Sequence, residues 1–143
     1  MEKEKGSKAV KAFAHKDAWM GALLGGIAAA IVNTVIFYIA NAVLSTPIEV
    51  AQPGTAYEVL TAATVIAATL LSIVAAGIVI SLLGKFTKKP EMIFIGLAVI
   101  VFLVSLSSPM MLDISNGAIA ALVLMHVVAS ALITLMAVMK LKK

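Results

Sequence analysis

The sequence predicts an all-α integral membrane protein: a single antiparallel four-helix bundle with both termini in the cytoplasm. Three observations carry that expectation. Of 143 residues, 62% are hydrophobic and 13% charged, with a mean hydropathy of +1.11, more than a water-soluble domain of this size carries on its surface. The charges leave four uncharged intervals: 31 residues between Asp17 and Glu49, 26 between Glu58 and Lys85, 21 between Glu91 and Asp113, and 26 between Asp113 and Lys140. Each can supply the roughly 20 apolar residues that cross a hydrocarbon core of about 30 Å. The third observation is that all eleven cations are lysines and all fall on one side of the membrane those intervals define.

Residues 1–17 read as a basic leader with an irregular first seven residues. Val10, Phe13 and Ala14 among Lys8, Lys11 and Lys16 would allow a short helix over 8–17 on the inner membrane surface, where each lysine near anionic lipid contributes about 1 kcal/mol. The simpler reading is a solvated leader that only sets topology. The spans belong to one domain, 18–140, followed by a basic tail, 141–143. The first span covers about 18–44. Its leader and Ala40-Asn41-Ala42 imitate a signal peptide with a small-residue cleavage site, but a signal core is typically about 7–15 apolar residues, so a retained span fits better. Trp19 beside Lys16 is placed as an interfacial anchor.

The second span, 59–83, follows Thr55-Ala56-Tyr57-Glu58, which reads as a capping box opening its helix. Pro90-Glu91 puts proline and an acid in the first turn of the third, 92–108. That span stops near Ser107-Ser108-Pro109, and Ser115-Asn116-Gly117 can start the fourth, 118–139. The longest connection runs from Ser45 to Ala56 and carries Pro47 and Pro53-Gly54. The spans are not strands, because a membrane barrel alternates apolar and polar residues in segments of about ten. The two halves show no internal repeat.

Lys3, Lys5, Lys8, Lys11 and Lys16 precede the first span, Lys85, Lys88 and Lys89 join the second to the third, and Lys140, Lys142 and Lys143 follow the fourth. With Glu2, Glu4, Asp17 and Glu91 on that same face, it carries +7, while Glu49, Glu58 and Asp113 give the other −3. The positive-inside rule then places both termini in the cytoplasm of a cell-membrane protein. Topology explains the basic balance without nucleic acid. The three outer acids either attract cations weakly or merely solvate the loops.

Specific chemistries find little support. Without Cys there is no disulfide, thiolate metal site or thiol redox chemistry. A haem held between spans lacks a second intramembrane ligand, since His15 lies far from His126 and Met125 faces about 100° away from it. All seven acids fall in tails or connections, so no intramembrane carboxylate serves proton-coupled transport. Zinc-ligand spacings, a Gly-x-Ser-x-Gly elbow and a phosphate-binding glycine loop are missing from the sequence. The eight Met read as filler. The expectation is a protein that is not an enzyme and uses neither metal nor cofactor.

The informative residues are polar ones inside the spans. Counted from the lysines, Asn33 lies 17 residues in, Thr69 and Ser105 lie 16, and His126 lies 14. These four share a layer about 21–26 Å from the lysines, in the middle or outer half of the hydrocarbon core. Gly21, Gly25, Ala29 and Asn33 step by four, a ladder of small residues that permits close helix approach and ends at the amide. His126, Ser130 and Thr134 step by four as well. Asn33 and His126 are therefore expected within hydrogen-bond or one-water reach. Two readings follow. In one the layer is interhelical glue, at about 0.6 kcal/mol per bond on average. In the other it is a small polar pocket, since an imidazole at that depth is expensive.

Two stretches carry a resemblance: Ala-Ala-Ala-Ile-Val-Asn-Thr-Val-Ile-Phe at 28–37 and Leu-Val-Leu-Met-His-Val-Val-Ala-Ser-Ala at 122–131. With the order of the four spans they make the chain resemble a family of small bacterial four-helix membrane proteins, catalogued as a domain of unknown function. The likeness covers about residues 18–140 and implies no reaction. This chain departs from it in using only Lys where many Arg are expected.

The functional expectation is a small multi-pass protein of structural or accessory type, packing against a second copy or another membrane protein through small-residue faces such as Gly21/Gly25 and Gly77/Ser81. The alternative is a small binding or transport protein that uses the Asn33/His126 layer for a polar or amphipathic solute.

Overall fold

A computed structural model of the chain describes the backbone of residues 2–51 and 55–141, and side chains of residues 16–51 and 55–140. It contains helix α1 (Glu2–Val43), strands β1 (Glu49–Val50) and β2 (Glu58–Val59), and helices α2 (Ala62–Phe86), α3 (Pro90–Met110) and α4 (Asn116–Leu141). Lys16–Val43, Ala62–Phe86, Pro90–Met110 and Asn116–Lys140 are each long and apolar enough to cross a membrane. The leader is continuous with the first span in one helix, where the sequence divides it into an irregular stretch and a separate surface helix.

The ends of the helices follow local chemistry. Ser115 Oγ accepts from Ala118 N at 3.2 Å and opens α4, and Pro90 takes the first position of α3, where its missing N–H costs nothing. The expected capping box at Thr55–Glu58 does not form. Glu58 and Val59 instead pair antiparallel with Val50 and Glu49, so α2 begins later, with Thr61 Oγ1 accepting from Thr64 N at 3.2 Å. The long connection is thus partly a two-stranded ribbon, closed below by Leu60 N donating to Ile48 O at 2.8 Å. Ile48 and Leu60 both drop into the protein interior. The third helix includes Pro109, which has no N–H to donate, and ends one residue later at Met110.

Helix α1 is the hub. It lies antiparallel against α4 and α2, while α2 meets α3 and α4 only sparsely. A Cβ on Gly25 would stand 2.5 Å from the Leu132 carbonyl oxygen and 3.0 Å from Ile133 Cα, and one on Gly21 would stand 2.9 Å from Ala137 Cα. The two backbones approach so closely only because α1 offers glycine there, with Ala18, Ala22 and Ala29 fully buried on the same side.

The interior forms two apolar clusters. One, toward the lysine-bearing end, gathers Ile73, Ile80, Phe94 and Ile133; the other, toward the ribbon, gathers Phe37, Ile48, Leu60, Leu122 and Met125. Outward-facing Ile31, Leu71, Val101 and Leu135 stay exposed, as lipid-facing side chains do. Helix α3 is the most peripheral: only Phe94 and Pro109 are buried on it.

Candidate functional site

Between the two apolar clusters the packing is interrupted by Asn33 and Thr69, the buried polar residues among those described. The four-residue step carries Asn33 onto the inward face of α1, and Thr69 faces it from α2. Asn33 Nδ2 donates to Thr69 Oγ1 at 3.4 Å, and Thr69 Oγ1 donates to Val65 O at 2.8 Å. Since the Thr69 hydrogen is committed to that carbonyl, its oxygen can only accept from Asn33, which fixes the orientation of the amide. The other end of the amide, Asn33 Oδ1, is buried without a hydrogen-bond partner. An acceptor in that condition costs about 1–3 kcal/mol.

That amide lies in the wall of a cleft of about 570 Å³, in the range of small-ligand sites. Asn33 supplies the α1 wall; Thr64, Thr69 and Ser72 line it from α2, and Leu122, Met125 and His126 from α4. It exists because α2 and α4 hardly meet across this depth. The ribbon roofs it with Val50, Glu58 and Leu60. Its wall is more apolar than polar, so it suits a molecule of mixed character.

His126 Nδ1 lies 2.8 Å from Leu122 O. A carbonyl only accepts, so Nδ1 carries a hydrogen, and Nε2 of the neutral ring is left as an acceptor. Asn33 and His126 thus share one cleft, while Asn33 hydrogen-bonds to Thr69 and His126 to Leu122 O. Ser105 does not join them: its hydroxyl donates to Phe102 O at 2.7 Å on its own helix, and Ser108 is the α3 residue in the cleft wall. Sequence reasoning missed the ribbon residues and Ser108. The alternation in Ile48-Glu49-Val50 and the Val59-Leu60 pair on the other side of Pro53-Gly54 are the signals that could have found the ribbon.

The residues singled out for packing meet inside the chain. Gly21 and Gly25 are covered by α4, and Ala29 on the same face is fully buried. Gly77 lies under the six-membered ring of Trp19, whose Nε1 donates to Ser81 Oγ at 2.7 Å; Ser81 in turn donates to Gly77 O at 2.9 Å. Trp19, expected as an anchor at the membrane surface with Lys16, therefore spends its N–H on α2. Lys16 is exposed and, with Trp19, borders a second, nearly apolar groove between α1 and α2. These two small-residue faces are occupied by the chain's own α4 and Trp19, which removes them as docking faces for another protein.

Four apolar helices around a partly polar interior define a small multi-pass helical membrane protein. The chain belongs to a family of unknown function, DUF6069, which matches it over residues 13–143, in keeping with the resemblance read from residues 28–37 and 122–131. No curated protein and no solved structure shows a significant match.

Proposed function

We propose that the chain is a membrane-embedded binding protein whose cleft receives a small amphipathic molecule, with a polar head at Asn33 and His126 and an apolar portion along α2 and α4. The carrying observation is the unpartnered, buried Asn33 Oδ1 in a cleft wall. A purely structural layer would have closed on that oxygen, because a half-satisfied buried amide destabilises the fold it is meant to hold. The glycine faces named for packing against another protein, Gly21/Gly25 and Gly77/Ser81, are filled from within the chain. The proposal is of binding without turnover, in a cell membrane with the lysine-bearing end in the cytoplasm.

The test is thermal unfolding of purified wild type and Asn33→Leu with and without 1-octanol, a neutral amphiphile whose head donates one hydrogen bond. Ligand that binds only the folded state raises Tm with concentration. Octanol should raise the wild-type Tm and leave that of Asn33→Leu where it was. Without octanol, Asn33→Leu should be as stable as wild type or more so: the relieved burial of about 1–3 kcal/mol outweighs the lost Thr69 bond, about 0.6 kcal/mol. An Asn33→Leu chain clearly less stable than wild type, with no octanol shift in either, returns the layer to the role of interhelical glue.

A further inference from the structure

The geometry points to a cationic amphiphile, a lipophilic primary ammonium, as the class of ligand the cleft takes; this rests on the binding reading above. Three of the polar residues that line the cleft, Asn33, His126 and Ser72, offer acceptors. Asn33 Oδ1 is an acceptor, oriented so by the Thr69 bond. The bond from His126 Nδ1 to Leu122 O leaves Nε2 as the acceptor in the uncharged tautomer. Ser72 Oγ donates its hydrogen to Ala68 O at 3.1 Å, so toward the cleft it too offers lone pairs. An ammonium head brings three donors and no acceptor, the complement of that set, whereas a carboxylate or phosphate would set lone pairs against lone pairs.

Charge agrees. Glu58 of β2 stands in the cleft wall at its ribbon end, and no lysine is among the described residues that line it. The same end of the bundle carries Glu49 and Asp113, and the sequence places no cation there, so an approaching cation meets attraction and an anion repulsion. Val65, Leu122 and Met125 provide the apolar wall for the tail.

The test uses the full chain in nanodiscs of zwitterionic lipid, titrated calorimetrically against empty nanodiscs, with four probes sharing one tail: octylammonium, octyltrimethylammonium, 1-octanol and octanoate. Octylammonium should bind about tenfold tighter than octanol, the contribution of one charge-assisted hydrogen bond. The trimethyl analogue, which keeps the charge but has no donor, should fall between octylammonium and octanol, and octanoate should not bind. Glu58→Gln, an exposed substitution on the ribbon, should lower the octylammonium-to-octanol ratio without bringing it to one, because the acceptors of Asn33, His126 and Ser72 remain. Octanoate binding as tightly as octylammonium, or a ratio unmoved by Glu58→Gln, overturns the cationic assignment while the binding reading stands. No binding of any of the four probes overturns both.

Discussion

At the residue scale, Gly25, Gly77 and Gly96 look alike in sequence and differ entirely in what surrounds them. Gly25 faces the α4 backbone, which cannot swing aside; Gly77 faces a hydrogen-bonded indole; a Cβ on Gly96 would meet nothing within 4 Å. Gly25→Leu should therefore destabilise by about 1–3 kcal/mol or more, as overpacked interiors do, whereas Gly96→Leu should stay within about 0.5 kcal/mol of wild type. Equilibrium unfolding in detergent checks the contrast, and equal effects at both positions would mean that α1 and α4 are not in backbone contact. The step of four from Gly21 to Asn33 made the inward face of α1 legible, because helical periodicity is written in the sequence. Which helix fills that face is not. The partner of Trp19, Ser81, lies 62 residues away on another helix, and adjacency to Lys16 suggests a surface role that the long-range contact overrides.

At the element scale, the four spans could be read directly, since a charge-free interval of membrane length admits little else. The ribbon could not. Glu58 and Val59 carry both a helix-start pattern and a strand pattern, and what decides between them is Ile48, fully buried beneath the ribbon from the other side of the turn. The element that roofs the cleft is thus held down by Ile48 and Leu60, which are buried in the same apolar cluster. Ile48→Ala should cost about 2–5 kcal/mol, the range for a buried isoleucine truncated in a core, and should loosen the roof before the helices separate. Hydrogen exchange should show it as faster exchange at Leu60 N, which donates to Ile48 O, with α1 and α4 amides still protected. Tyr57 adds a weaker tie: its hydroxyl accepts from Asp113 N at 3.0 Å and joins the ribbon to the α3–α4 connection. Because that pair is exposed, Tyr57→Phe should cost no more than about 0.5–1.5 kcal/mol. Global unfolding of Ile48→Ala with no separate loosening of the ribbon would show that roof and bundle are a single cooperative unit.

At the scale of the whole molecule, the direction of the bundle decides where the cleft opens. Four consecutive crossings return both termini to one end, and the eleven lysines share that end while Glu49, Glu58 and Asp113 share the other. Lysines in short connections and next to spans dominate orientation during insertion, so the lysine-bearing end is expected inside and the ribbon outside. Since ribbon residues roof the cleft, a ligand would reach it from the outer side or from the outer leaflet. The chain has no Cys, so a single introduced thiol reports its own location without background. Ala56→Cys, at an exposed position beside β2, should react with a membrane-impermeant maleimide on intact cells. Lys88→Cys, exposed between α2 and α3, should react only after the membrane is opened. The reverse pattern would turn the cleft toward the cytoplasm, and Glu58 would then meet solutes made inside the cell. Labelling of both positions on intact cells would mean that the chain inserts in two orientations, and that the +7 against −3 imbalance is too weak to choose between them.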